Sequence, residues 1–156
     1  MIYHSIFHLH LSYGCSIRAS NFISCYKRIQ IIQNKAIEII SPLQHSDNIN
    51  LHFKLTKIFD VSKTRDFQIA TFCFKYFNNL LPSSFENLLT LNQDLHTCET
   101  RNSCDIVNET PSTERASFLI RFFAPAIWDS IHLEIRNSNN IITFKRAVKG
   151  CYKNTV

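Results

Sequence analysis

Residues 64–81, TRDFQIATFCFKYFNNLL, confine their polar positions to one narrow stripe when read at helical spacing: Gln68, Thr71, Lys75 and Asn78. Phe67, Ala70, Phe74 and Phe77 lie on one side of that stripe, and Ile69, Phe72, Cys73, Tyr76 and Leu80 on the other. An amphipathic surface helix has a single apolar stripe, so a helix apolar over most of its circumference is expected to be buried on several sides. Ser62 fits as its N-cap, and Pro82 as its stop, because proline cannot continue the hydrogen-bond ladder.

The same periodicity predicts further helices. Ile2, Ile6, Leu9 and Tyr13 mark a short one that Gly14 would end. A longer one runs from about Ser24 to Ile40, with Ile29, Ile32, Ala36 and Ile39/Ile40 as its apolar face and Lys27, Arg28, Gln30, Gln33, Asn34, Lys35 and Glu38 largely elsewhere. Ser41-Pro42 terminates it. A polar turn over 44–50 leads to a short helical turn at Leu51–Leu55, and residues 58–62 lead into the central helix. After Pro82, Ser83-x-x-Glu86 has the form of a capping box. From Asn92 to Glu114 the chain turns polar, which reads as a loop or weak hairpin. Residues 117–123 (SFLIRFF) read as a strand, and 125–131 as a helix with Pro125 in its first turn. Asn140 caps a last helix in which Phe144 and Val148 pack while Lys145, Arg146 and Lys149 face outward. The expected fold is mainly α: an irregular helical bundle with a polar loop or weak β-hairpin around 92–123. The division expected from this punctuation is a helical region over 1–82 and a helical extension over 83–156 containing the polar loop 92–116.

Composition narrows the chemistry. The 156 residues are 45% hydrophobic and 19% charged, which is globular rather than disordered. Thirteen phenylalanines against one Met and one Trp make aromatic rings the main core material. With Gly14 and Gly150 as the only glycines, no Gly-rich phosphate loop is present. The sequence also lacks a GxSxG, an HExxH, a P-loop and any Asp-Asp pair, so neither a nucleophilic hydrolase motif nor a two-metal polymerase centre is legible. His8-x-His10, His96-x-Cys98 and Cys98-x5-Cys104 match no paired metal-ligand spacing, and no metal or other cofactor is expected. Six scattered cysteines, several of them inside apolar helical patterns, without a signal-peptide pattern, read as reduced thiols of an intracellular protein. The apolar N-terminal stretch is too short to span a bilayer, so no membrane partner is expected.

Net charge is +5 and unevenly placed. Residues 1–81 carry nine Lys/Arg against Glu38, Asp47, Asp60 and Asp66; 82–136 carry eight acids against four bases; the tail carries only Lys145, Arg146, Lys149 and Lys153. Basic surface at both ends suits a polyanion. Lys27, Arg28 and Lys35 share one exposed helix surface, with Gln30, Gln33 and Asn34 available to phosphates, and are the first candidates for RNA or DNA contact. Arg101, Lys145, Arg146 and Lys149 follow. Trp128, beside Phe122 and Phe123, reads as core rather than as a base-stacking platform.

Several phrases, in order, carry a resemblance: LSYGCSI at 11–17, IQIIQNKAIEII at 29–40, FKYFNNLLPSSF at 74–85, HTCETR at 96–101, APAIWDSI at 124–131 and ITFKRAVK at 142–149. Together they resemble the segment that follows the polymerase domain in reverse transcriptases of non-LTR (LINE-type, jockey-like) retrotransposons. The chain departs from that pattern at Arg18 (usually Trp), Glu38 (often Arg), Cys98 (Tyr) and Ala124 (Gly). The family's catalytic Asp-Asp strand would lie before Met1. The resemblance implies a thumb-like helical region with a C-terminal extension that helps to hold template RNA and target DNA, packed in the parent protein against a polymerase domain, and not itself catalytic. The rival expectation is a structural or protein-interaction domain whose apolar faces were left by that missing neighbour, with no nucleic-acid role.

Overall fold

The computed structural model describes residues 3–12, 23–42, 48–95, 103–113 and 119–154. The chain is mainly α-helical. A π-type turn at Tyr3–Phe7 precedes α1 (His8–Ser12), followed by α2 (Ile23–Ile40), α3 (Ile49–Thr56) and α4 (Val61–Phe77). A 3-10 turn at Ser83–Phe85 precedes α5 (Asn92–Leu95), α6 (Ile120–Asp129), α7 (Leu133–Arg136) and α8 (Ile141–Asn154). Two compact units result: unit 1 is Met1–Gln68 with Cys151–Val156, and unit 2 is Ile69–Gly150. The division falls inside α4 and α8, whereas the sequence punctuation divides the chain at Pro82.

In unit 1 the surprise is which side of α2 turns inward. Gln33 and Ile37 are fully buried, with Tyr26, Ile29 and Gln30 partly buried beside them, while Ile32 and Ile39 are exposed. The buried face is therefore rotated by roughly a quarter turn from the isoleucine stripe expected from the sequence. Hydrogen-bond demand explains the rotation. Gln33 Nε2 donates to the Phe59 carbonyl at 2.7 Å and to the Tyr3 hydroxyl at 2.8 Å. Gln30 Oε1 accepts the Val61 N–H at 3.2 Å, satisfying one of the free amides at the start of α4. Val61 is fully buried against Leu11, Tyr26 and Ile29. α3 begins earlier than the Leu51–Leu55 reading, because Asn48 accepts the Asn50 N–H and caps it at Ile49. Its His52 is fully buried, and neither ring nitrogen has a hydrogen-bond partner among the described residues.

α4 bears out the central expectation, since no position from Val61 to Phe77 is exposed. Its ends are set differently. Asp60, not Ser62, is the N-cap: its carboxylate accepts the Lys63 N–H at 2.7 Å. The helix stops at Phe77, before Pro82. Asn79 takes the left-handed conformation at φ 54°, Leu80 N–H donates to the Lys75 carbonyl and Asn79 N–H to the Tyr76 carbonyl. That pair of bonds is a Schellman closure with asparagine in the position glycine usually takes. The capping box does not form. Ser83–Phe85 is one 3-10 turn without a side-chain cap, and extended Glu86 followed by Asn87 at φ 62° ends it.

Unit 2 is built on stacked rings. Phe74 and Phe144 stack at 4.4 Å, and Trp128 lies 6.1 Å from Phe144 and 5.2 Å from Phe77. Ile69, Ala70, Cys73, Ala124 and Val148 are buried with them. Burial and the negative charge of Asp129 push the Cys73 thiol up to about 12, so it is an inert core thiol. Of the strand expected at 117–123, residues 117 and 118 lie outside the described residues and the rest is overturned: Ile120–Phe123 are the first turn of α6, and Pro125 sits inside that helix rather than at its start. Proline there removes only the bond to the Arg121 carbonyl, and burial of Ala124, Pro125 and Trp128 on one face outweighs that loss. The polar loop returns as a single antiparallel bridge, Leu91 to Ile106, flanked by Val107 N–H to the Thr90 carbonyl and Asn92 N–H to the Asp105 carbonyl. No strand is present among the described residues. Asn140 caps α8 as expected, accepting the Ile142 N–H at 3.1 Å, and Phe144 and Val148 are buried as expected.

Candidate nucleic-acid interface

Two basic helix faces hold six of the seven candidate residues. On α2, in unit 1, Lys27, Arg28 and Lys35 are all exposed. Arg28, Ile31, Ile32, Lys35 and Ile39 recur at i, i+3, i+4, i+7 and i+11 and so form one outward stripe. This stripe mixes charge with apolar surface: Ile39 is 85% exposed and Ile31 and Ile32 are more than half exposed. The companion amides are not where the sequence placed them. Gln33 is buried, and Gln30 spends its amide on Val61 and on Asn34 at 2.8 Å. Gln30 and Asn34 instead line a pocket of about 470 Å³ with Asn50, Lys54, Asp60 and Lys63.

On α8, within unit 2, Arg146 and Lys149 are exposed one turn apart, with Ile142 exposed a turn before them, whereas Lys145 is half-buried rather than outward. No Asp or Glu occurs on α8. Among the described residues, none of Lys27, Arg28, Lys35, Lys145 and Arg146 forms a salt bridge; ion pairs elsewhere include Arg65–Asp66, Arg121–Glu109 and those of Arg136. Arg101 lies outside the described residues, as do most of the 11–17 phrase and all of the 96–101 phrase.

The most constrained basic group is one that sequence reasoning passed over. Arg136 has a side chain only 6% exposed. Its Nε donates to the Ile131 carbonyl at 2.7 Å, and Nη2 to the Asp129 carbonyl at 2.8 Å. Nη1 donates to the Cys104 carbonyl at 3.3 Å and to the Asp105 carboxylate at 2.8 Å, with the Asp129 carboxylate 3.8 Å away. Burial raises the Asp129 carboxyl to about 6, against a lowering by the Ile106 N–H that it accepts; nearby Asp105 raises it and Arg136 lowers it. This knot ties the 103–107 segment to α6 and α7. The only sequence cue was the pattern of acids at 105 and 129 around one arginine, which has no fixed spacing.

Among the described residues there is no grouping of three His, Cys, Asp or Glu able to hold a metal ion, and no helix long and apolar enough to cross a membrane. Comparison with protein-family models, with curated proteins and with solved structures yields no match.

Proposed function

We propose that the chain is a non-catalytic helical module that binds the phosphates of RNA or DNA, the role implied by its resemblance to the post-polymerase region of retrotransposon reverse transcriptases. The observation that carries this reading is the exposure of Lys27, Arg28, Lys35, Arg146 and Lys149 on two helix faces, with α8 wholly free of acids. Exposed bases release condensed counterions from a polynucleotide, and this requires no catalytic group. The chain contains no Asp-Asp pair, and on this reading polymerisation is not its activity. The test is binding of a single-stranded RNA across a salt series. Lys27→Ala/Arg28→Ala weakens binding uniformly across sequences and lowers the slope of log K against log salt by about 0.7–0.9 per lost contact. Absence of any shift at low ionic strength sinks the proposal.

A second reading has its own observation: the three outward isoleucines of α2 share the stripe with Arg28 and Lys35. A protein-interaction surface would use them as anchors. On this reading the chain self-associates and binds apolar dyes, Ile32→Ser/Ile39→Ser abolishes both, and no salt-sensitive RNA affinity is measured; salt-sensitive RNA binding with association unchanged by the two substitutions rejects this second reading.

A further inference from the structure

Unit 2 contains a pocket of about 590 Å³, within the range of roughly 300–1,000 Å³ typical of small-molecule sites. Its apolar wall is half-buried Phe77 with Leu91, Leu133 and Trp128; Trp128 is only 4% exposed and is therefore core rather than platform. Its rim is made of amides. Gln93, Asn137 and Asn139 are exposed, and among the described residues their side chains make no hydrogen bond. Asn78 also lines the pocket, but its amide already donates to the Phe74 carbonyl. Arg136 lines it from within the knot. A guanidinium has five N–H groups. Four acceptor contacts are formed, on Nε, Nη1 and Nη2, which leaves one Nη2 hydrogen without an acceptor among the described residues.

Charge decides the class of ligand. One guanidinium faces two carboxylates, Asp105 and Asp129, so the pocket offers an anion no net attraction. A neutral planar ligand suits it better: a flat face for Phe77, a carbonyl or ring-nitrogen acceptor for the spare Arg136 hydrogen, and a donor–acceptor edge for three uncommitted amides. We infer that this pocket accepts a single unpaired nucleobase, read on its hydrogen-bonding edge by Gln93, Asn137 and Asn139. The inference rests on the nucleic-acid reading and deepens it, since the helix faces supply phosphate contacts that carry no sequence information and the pocket supplies a base contact.

The full chain is titrated with adenosine, cytidine and uridine, following two local reporters. Trp128 is the only tryptophan, so its indole N–H resonance is a single assigned signal. Cys104 is an exposed free thiol on the pocket lining, and its alkylation is read by peptide mass mapping. At least one nucleoside shifts the indole signal saturably and slows Cys104 alkylation, ribose alone does neither, and Gln93→Ala/Asn137→Ala/Asn139→Ala weakens binding tenfold or more. No saturable shift with any nucleoside, the same shift with ribose, or unchanged affinity in the triple variant overturns the inference. Because nucleosides carry no phosphate, the two readings fail separately. RNA binding without nucleoside binding removes the pocket alone, and nucleoside binding without salt-dependent RNA binding removes the helix faces alone.

Discussion

In unit 1 the buried residues include Tyr3, Ile37 and Val61 beside Gln33, Ser41, His52 and Thr64, whereas unit 2 buries Phe74, Trp128, Phe144, Ile69, Ile131 and Val148 around the single charge of Arg136. The apolar side chains that unit 1 would need for a comparable core are outside: Ile31, Ile32, Ile39, Leu51 and Leu55 are all exposed. Unit 2 therefore removes mainly aromatic area from water, whereas unit 1 adds directed hydrogen bonds from Gln30 and Gln33 to a smaller apolar core. The contrast teaches that composition is not distribution. Of the α2 isoleucines, Ile37 is core while Ile31, Ile32 and Ile39 stay outside, whereas Phe74 and Phe144 are both fully buried.

The largest effect that tests this contrast is a ring deletion. Phe144→Ala removes the partner stacked at 4.4 Å on Phe74 and destabilises unit 2 by about 3–5 kcal/mol, read by Trp128 fluorescence in urea. Ile39→Ala, by contrast, changes stability by no more than about 0.5 kcal/mol, because that side chain is already in solvent. Equal losses from the two substitutions break the comparison. Next in size is Gln33→Ala. It removes the donor to the Phe59 carbonyl and to the Tyr3 hydroxyl and costs about 2 kcal/mol, visible as faster amide exchange across α2 and the start of α4. Unchanged exchange there shows that unit 1 is not held by its glutamines.

The smallest effect is on pH. Asp129 binds its proton more tightly in the folded unit, at about 6, than in the unfolded chain, at roughly 3.9. Its contribution is thus fully present below the unfolded value and lost as pH rises through 6. The urea midpoint of unit 2 rises as pH falls from 7 towards 5, and Asp129→Asn flattens that part of the profile. A midpoint that falls equally in both proteins contradicts the assignment.

What was legible in the sequence were the features that local chemistry decides alone. The Asn140 cap, the Phe144/Val148 face of α8 and the burial of α4 on several sides all follow from spacing and one cap residue. The features that were misread depend on partners distant in sequence. The face of α2 was assigned to isoleucine because nothing in residues 24–40 announces that α4 needs Gln30, or that Phe59 and Tyr3 need Gln33, 26 and 30 positions away. Ile120–Phe123 looked like a strand because a short apolar run has no period of its own, and Trp128 and Pro125 on the same helical face decided it. Of the candidate site, the exposure of Lys27, Arg28, Lys35, Arg146 and Lys149 was legible from helix periodicity; the pocket beside Arg136 was not, since its lining is drawn from Phe77 and Asn78, from Leu91, Gln93 and Cys104, and from 128–139.

Tyr76 illustrates how little chemistry can hold a segment. Its hydroxyl donates to the Leu89 carbonyl at 2.8 Å and accepts the Leu89 N–H at 3.1 Å. One oxygen thus plays the part of an entire neighbouring peptide group for a residue that lies in no helix and in no ladder. Pro82 to Asn87 are exposed, with Phe85 edge-on to Phe72 at 5.6 Å, Leu88 is half-buried, and Leu89 is the first buried residue after them. That makes the phenolic oxygen a latch on this turn. Its removal frees the turn to open locally while the aromatic stack beneath stays closed.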